Sequence, residues 1–204
     1  GDVMKRQHIY NCLLCNSPIY QQMTLRLLLS NRFTKTICQR CEQKFKRYEG
    51  STEEVVSLYE YNEEMKDYLH RYKFMHDVIL AKVFREEIHR YLYKKKAMIV
   101  PIPMHPKKLK ERTFSHVDEL LKQANIPYVH CLEKISLEAQ GGKSREERLK
   151  TPQIFKMKEN VPINNIEILL VDDIYTTGTT IRHAKELLLA SGAKSVKAFT
   201  LIRV

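Results

Sequence analysis

Apolar and polar positions alternate in two different periods along the chain. Residues 55–61, VVSLYEY, are dense in β-branched and aromatic side chains and predict a strand. From Asn62 the apolar positions Met65, Leu69, Tyr72, Ile79 and Val83 recur in steps of three, four and seven, the period of a helix. A break is expected near residues 73–76, with the helix resuming to about Tyr93. AMIVPIPM, 97–104, reads as a short buried strand with a proline exit. SHVDELLKQAN, 115–125, reads as a helix capped by Ser115 with Asp118 as a weaker capping-box partner. YVHCLEKI, 128–135, predicts another strand. IEILLV, 166–171, is a strand that leads into two aspartates, followed by a helix from Thr179 to Ser191 that stops at Gly192, and SVKAFTLIRV is the last strand. Strands alternating with helices specify an α/β fold: a mostly parallel sheet with helices on both faces.

Two stretches break this alternation. Residues 136–152, containing EAQGGKSREERLK, are charged and hold Gly141 and Gly142, the composition of a mobile loop. Residues 1–50 carry too few apolar residues for a core of their own. They hold two Cys-x-x-Cys turns, Cys12/Cys15 and Cys38/Cys41, with 22 residues between the pairs. Each turn can aim two thiolates at one ion, and two turns complete a closed tetrahedral zinc site. Disulfides are a poor alternative in a reducing compartment, and a thioredoxin-like redox role suits a single such turn in a βαβ setting. The expected division is therefore a four-cysteine, ribbon-like zinc module over residues 1–50 and an α/β domain over 51–204, the metal being structural. Cys131 lies in a predicted strand and reads as a small buried apolar residue.

Hydrophobic residues make up 43% of the 204, enough for a real core, and no apolar run reaches membrane-spanning length, so a cytoplasmic protein is expected. The formal net charge is +11 and uneven. Residues 1–50 hold nine Lys/Arg against three Asp/Glu, and a second basic cluster runs from Arg90 to Arg112 with Tyr91 and Tyr93 interleaved. Basic clusters suit phosphate-rich partners, single-stranded DNA among them, although a solvated surface has the same composition.

The sharpest chemistry is in LLVDDIYTTGTTI, residues 169–181. Asp172 and Asp173 fall at the carboxyl end of a strand, where open α/β sheets bind ligands. Thr176, Thr177, Gly178, Thr179 and Thr180 lead into a helix whose first N–H groups and dipole favour an anion. Carboxylates beside a phosphate need donors of their own, which sugar hydroxyls or a bridging Mg2+ provide. The motif therefore asks for a ribose phosphate, and no Walker sequence competes with it.

ILLVDDIYTTGTT resembles the phosphoribosyl pyrophosphate (PRPP) motif of type I phosphoribosyltransferases. Together with the cysteine module, VPIP and SGAKSVKAFTLIRV, it makes nearly the whole chain similar to the ComF family of competence proteins. Members often carry Gly-Phe-Asn-Gln shortly after VPIP; here that stretch is Thr113-Phe114-Ser115-His116. The resemblance implies a type I phosphoribosyltransferase-like fold and a role in natural transformation, handling incoming single-stranded DNA beside a helicase-like partner. It implies PRPP or ribose 5-phosphate bound with Mg2+, the hydroxyls on Asp172 and Asp173 and the 5′-phosphate on Thr176–Thr180. The diphosphate end is expected at the loop after VPIP, where Lys107, Lys108 and Arg112 lie, with Lys143, Arg145 and Arg148 on a second loop that closes over the site. An active salvage transferase (a glycosyltransferase) and a PRPP-sensing DNA-binding regulator are the alternatives, the latter without a visible helix-turn-helix.

Overall fold

Strand β1 (Val55–Glu60) opens the main sheet, and α2 (Glu63–Phe74) follows at once, its start fixed by Asn62, whose side chain accepts the Met65 N–H. The computed structural model describes residues 9–19, 33–135 and 153–204. The expected loop at 136–152, with Lys143, Arg145 and Arg148, lies outside the described residues. Upstream is the single-turn α1 (Gln39–Glu42). After α2 come a 3-10 turn (Val78–Lys82), α3 (Arg85–Leu92), β2 (Met98–Pro101), α4 (Pro106–Arg112), α5 (His116–Gln123), β3 (Leu132–Lys134), β4 (Phe155–Met157), β5 (Glu167–Tyr175), α6 (Thr179–Ala190) and β6 (Ser195–Arg203).

The four-stranded sheet has the order β1-β6-β5-β2, and every pairing is parallel. Parallel strands buried on both faces read as unbroken apolar runs, which is why IEILLV and AFTLI have no polar alternation. The period of two still sorts the side chains. Leu169, Val171, Phe199 and Leu201 face a core built with α2, α3 and α5, whereas Ile168, Leu170, Val196 and Ala198 face α6, β3 and β4. Helices thus cover both faces, as the alternation of elements predicts. The first core is aromatic: Phe84 meets Tyr68 edge-on with centroids 4.9 Å apart, and Tyr68 stacks on Tyr72 at 5.8 Å.

Three local expectations need correction. YVHCLEKI is not a strand of the main sheet. Only Leu132–Lys134 is extended, and it pairs antiparallel with β4, a strand with no signal strong enough to predict it. Ile79 is 42% exposed, because the helical period is lost at the 3-10 turn. The stretch after VPIP, expected as a loop, is α4, started by Pro106 at its first position.

The cysteine segments share the main core. Cys12, Ile37, Cys41 and Phe45 are buried in the cluster that holds Tyr68 and Phe84. Two arginines from the α/β part fix them: Arg71 donates to the Leu13 and Leu14 carbonyls at 2.9 and 3.1 Å, and Arg85 to the Thr34 carbonyl at 3.0 Å. The chain then runs along β1, with Tyr48 N–H donating to Leu58 O and Glu60 N–H to Lys46 O.

Candidate functional site

β2 stops at Pro101, and Ile102 N–H makes one last bond to Val171 O. β5 runs on to Tyr175, so one edge of it is left without β2 from Asp172 onward. The two aspartates are therefore inside the strand, three and two residues short of its end, and not beyond it. The strand's alternation sends them to different surroundings.

Asp173, 7% exposed, follows Val171 onto the α2/α5 face. There it forms an ion pair with Lys73, from the last turn of α2, whose side chain is 14% exposed. Beside it His116 is buried against Tyr72 and Phe114, with Nδ1 3.2 Å from Arg112, while its Nε2 has no partner. Burial on its own would raise the Asp173 carboxyl, but Lys73, His116 and the Asp172 contact outweigh it, and the group is held below the usual carboxylate range. Burial also pushes the His116 imidazole down to about 4, against the pull of Asp173 and with the help of Lys73, Arg112 and His76.

Asp172 is half-buried, and its Oδ1 accepts the Asp173 N–H at 2.8 Å. Burial and the neighbouring Asp173 charge raise it well above the ordinary value. On its side lies Lys134 at the end of β3. Burial lowers that ammonium, the Lys108 charge adds to the effect, and Asp172 opposes it. Two adjacent carboxyls thus have opposite protonation tendencies, one ionised by a buried lysine and one inclined to keep its proton.

The loop beyond them opens α6. Gly178 is the N-cap, with φ at +78°, and it supplies no side-chain cap, so the first-turn N–H groups of α6 are turned to the loop. Thr177 and Thr179 share a hydroxyl contact of 3.0 Å, and Thr176 and Thr177 are exposed. A Cβ at position 178 would come 2.1 Å from the Tyr175 hydroxyl, and Arg203 lies 3.7 Å over the Tyr175 ring. The positive φ favours glycine here, and a side chain would also have to displace the hydroxyl end of Tyr175.

The expected diphosphate residues separate. Arg112 joins the Asp173 side through His116, with its guanidinium 5.0 Å over Phe74, and Lys108 joins the Asp172 side through Lys134. Lys107 is an exposed residue of the same helix α4. Neither Lys73 nor Lys134 is marked by any local motif, since each reaches the site only through tertiary packing. Tyr91 is not a free stacking platform: its ring stacks on Phe199 at 4.9 Å. Tyr93 is 56% exposed and stacks on His89.

In the N-terminal segment, the sulfurs of Cys12, Cys15, Cys38 and Cys41 all lie within 4.8 Å of one another. The Cys15 and Cys38 sulfurs are 3.7 Å apart. A tetrahedral ion with zinc–sulfur bonds of about 2.3 Å would separate its ligands by about 3.8 Å, so the donor set fits a structural metal such as zinc. Hydrogen bonds from Ser17 pull the Cys15 thiol down to about 5, and the Cys41 thiol is raised, first by burial. The Asn16 N–H donates to the Cys12 carbonyl at 2.8 Å, which closes the first cysteine turn.

A family model described as the phosphoribosyl transferase domain matches residues 85–204. Competence protein ComFC of Streptococcus pneumoniae is 36% identical over 222 residues, covering 94% of this chain and 99% of that protein. The chain belongs to the ComFC family. The Bacillus subtilis ComFC is 32% identical over 231 residues, covering 96% of each, and the DNA utilization protein YhgH of Salmonella typhimurium is 24% identical over 212 residues, covering 94% and 89%. The family model gives this ComFC homologue a phosphoribosyltransferase domain, and the structure gives it a parallel sheet with helices on both faces and a four-cysteine cluster able to hold a metal. No helix among the described residues is long and apolar enough to cross a membrane.

Proposed function

We propose that this ComFC homologue is a cytoplasmic competence protein that binds PRPP, or a ribose 5-phosphate, and single-stranded DNA during uptake of transforming DNA. The observation that carries the sugar-phosphate reading is the continuous run from Asp172 and Asp173, on a strand segment left open beyond β2, into the Gly178-capped N-terminus of α6. The 5′-phosphate takes the α6 N–H groups and the threonine hydroxyls, and the diol takes the carboxyls. The half-buried Asp172 carboxyl is the one to meet Mg2+, which keeps most of its shell as water and phosphate oxygens and needs only one or two carboxylates. When bound, it would neutralise charge on the diphosphate. The chain's own residues position the ring, with Lys108, Lys134 and Arg112 supplying positive charge around it.

Cys12, Cys15, Cys38 and Cys41 hold zinc, and the zinc orders the cysteine module covering residues 1–50 beside the α/β domain of residues 51–204. The module and the Arg90–Arg112 cluster contact DNA phosphates, with Tyr93 as the exposed ring available to stack on a base. The names of the ComFC relatives, and the DNA named for YhgH, support this reading over a salvage transferase. A helicase-like partner in the same process is part of the proposal.

Calorimetry with PRPP and Mg2+ tests the sugar site: binding in wild type that is lost in Asp172→Asn/Asp173→Asn is expected, and equal binding in the two refutes it. Titration of a labelled oligonucleotide at two salt concentrations tests the DNA reading. Steep weakening with salt is expected as counterions are released. No binding at low salt would favour the transferase alternative, to be followed by a screen of bases for diphosphate release.

A further inference from the structure

One group near the sugar site is not explained by a fold requirement. Lys73 places an ammonium against Asp173 where both side chains are nearly removed from water, at 14% and 9% exposure. A buried ion pair recovers little more than the cost of desolvating its two partners, so its presence is weak evidence for a role in stability. It does occupy the carboxylate that the sugar hydroxyls are expected to use. A diol offers only neutral donors and cannot displace an ammonium from a carboxylate in a water-poor site, because charge-assisted hydrogen bonds are roughly twice as strong. The ammonium leaves only if another anion receives it.

The backbone that carries Lys73 is fixed. Tyr72, the preceding residue, is fully buried and donates its hydroxyl to the His116 carbonyl, and the Met75 N–H closes the helix on His70 O. The lysine's four-carbon stem is what can swing. Phe74 and Met75, the next two residues, are 61% and 65% exposed, so the end of α2 borders solvent on the side where Arg112 covers Phe74. A ligand entering there meets Lys73 and Arg112 together.

Resting on the reading of the site as a ribose-phosphate site, we propose that Lys73 is an exchangeable counter-ion that makes the site select the 1-diphosphate of ribose 5-phosphate over ribose 5-phosphate itself. In the ligand-free protein Lys73 holds Asp173. When a ligand brings a diphosphate on the carbon next to the diol, Lys73 moves to the diphosphate and Asp173 takes the hydroxyls. A ligand with the diol and 5-phosphate but no diphosphate must break the Lys73–Asp173 pair without replacement. The two contacts are therefore coupled: each makes the other easier, and the coupling is reciprocal.

The test is calorimetry, with Mg2+, of PRPP and of ribose 5-phosphate against wild type, Lys73→Met and Lys73→Arg, each variant first checked by thermal melting. Wild type should prefer PRPP by about 100-fold, the scale of one strong coupling. Lys73→Met should weaken PRPP by tenfold or more and leave ribose 5-phosphate unchanged or tighter, so the preference collapses. Lys73→Arg should keep the order of preference. Equal weakening of both ligands by Lys73→Met would make Lys73 a mere support of Asp173 and overturn the proposal, as would an unchanged preference. Wild type that binds neither ligand overturns the ribose-phosphate reading and this proposal with it. Should Lys73→Met not fold, the 15N-labelled Lys73 ammonium of wild type gives the answer: its resonance should move to a different position with saturating PRPP than with saturating ribose 5-phosphate, and an identical response to both is the refuting result.

Discussion

His116 offers the most direct measurement of the electrostatics around Asp173. Its ring is 1% exposed and its Nε2 has no partner, so taking up a proton there places a second charge in a pocket already holding Lys73 and bordered by Arg112 and His76. The folded value is near 4 and the ordinary value 6.5, a difference of about 2.5 pH units. Because the folded value is the lower one, the neutral ring contributes stability fully above pH 6.5, and the contribution is lost as pH falls towards 4. At about 1.36 kcal/mol per pH unit the limit is about 3.4 kcal/mol. Integrated between pH 7.5 and 4.5, the loss is about 2.5 kcal/mol. Asp172 works the other way in this window: its raised value makes the folded state bind the proton more tightly as pH falls. The comparison that isolates His116 is therefore wild type against His116→Gln, with urea unfolding followed at both pH values, since Asp172 then cancels. The advantage of His116→Gln over wild type should grow by about 2.5 kcal/mol on acidification. Profiles that stay parallel would show that the folded protein protonates His116 at no cost, and the picture of a buried, positively bordered pocket would be wrong.

Three further outcomes are expected. Thr113 sits in the left-handed region, φ 64°, at the end of α4, so Thr113→Gly should stabilise the protein by about 0.5–1 kcal/mol, a rise of about 1–4 °C in Tm. Gly178→Ala should lower stability by about 1–3 kcal/mol and weaken PRPP binding in calorimetry, and Tyr175→Ala should relieve the steric part of the loss. Cys38→Ser should abolish stoichiometric zinc, one ion per chain by elemental analysis, and expose residues 33–49 to proteolysis while the far-ultraviolet circular dichroism of the sheet persists.

The parts of the structure visible in the sequence were those with a local cause. An apolar run without alternation marked β5 as a strand buried on both faces, Ser115 marked the start of α5 and does cap it, and the two cysteine turns marked a cluster whose sulfurs do converge. Asp172 and Asp173 were visible as a pair, but their division between two faces of the sheet depends on β5 continuing to Tyr175, which the apolar count ending at Val171 concealed. Lys73 and Lys134 were illegible for a different reason. A lysine at the end of a helix or a short strand reads as solvated charge, and only the packing of α2 and of the β3–β4 pair against β5 carries these two towards the aspartates. Tyr91 and Tyr93, two positions apart, cannot share a helix face, and packing decides which of them is inside: the Tyr91 ring meets Phe199 and Tyr93 is exposed.

The strand order has a kinetic consequence. β1 finds its sheet neighbour in β6, so Val55 pairs with Ala198 across more than half of the sequence. The buried hydroxyl pair of Ser57 and Thr200, 2.7 Å apart, likewise spans 143 positions. A ribosome that has finished residues 55–190 has made both faces' helices and an apolar β1 with nothing to pair with. Closing so long a loop is slow, and the bare edge is open to wrong partners in the interval. The last strand acts as the keystone of the sheet, and a nascent chain arrested just short of residue 195 is the form of this protein that a chaperone should bind most strongly.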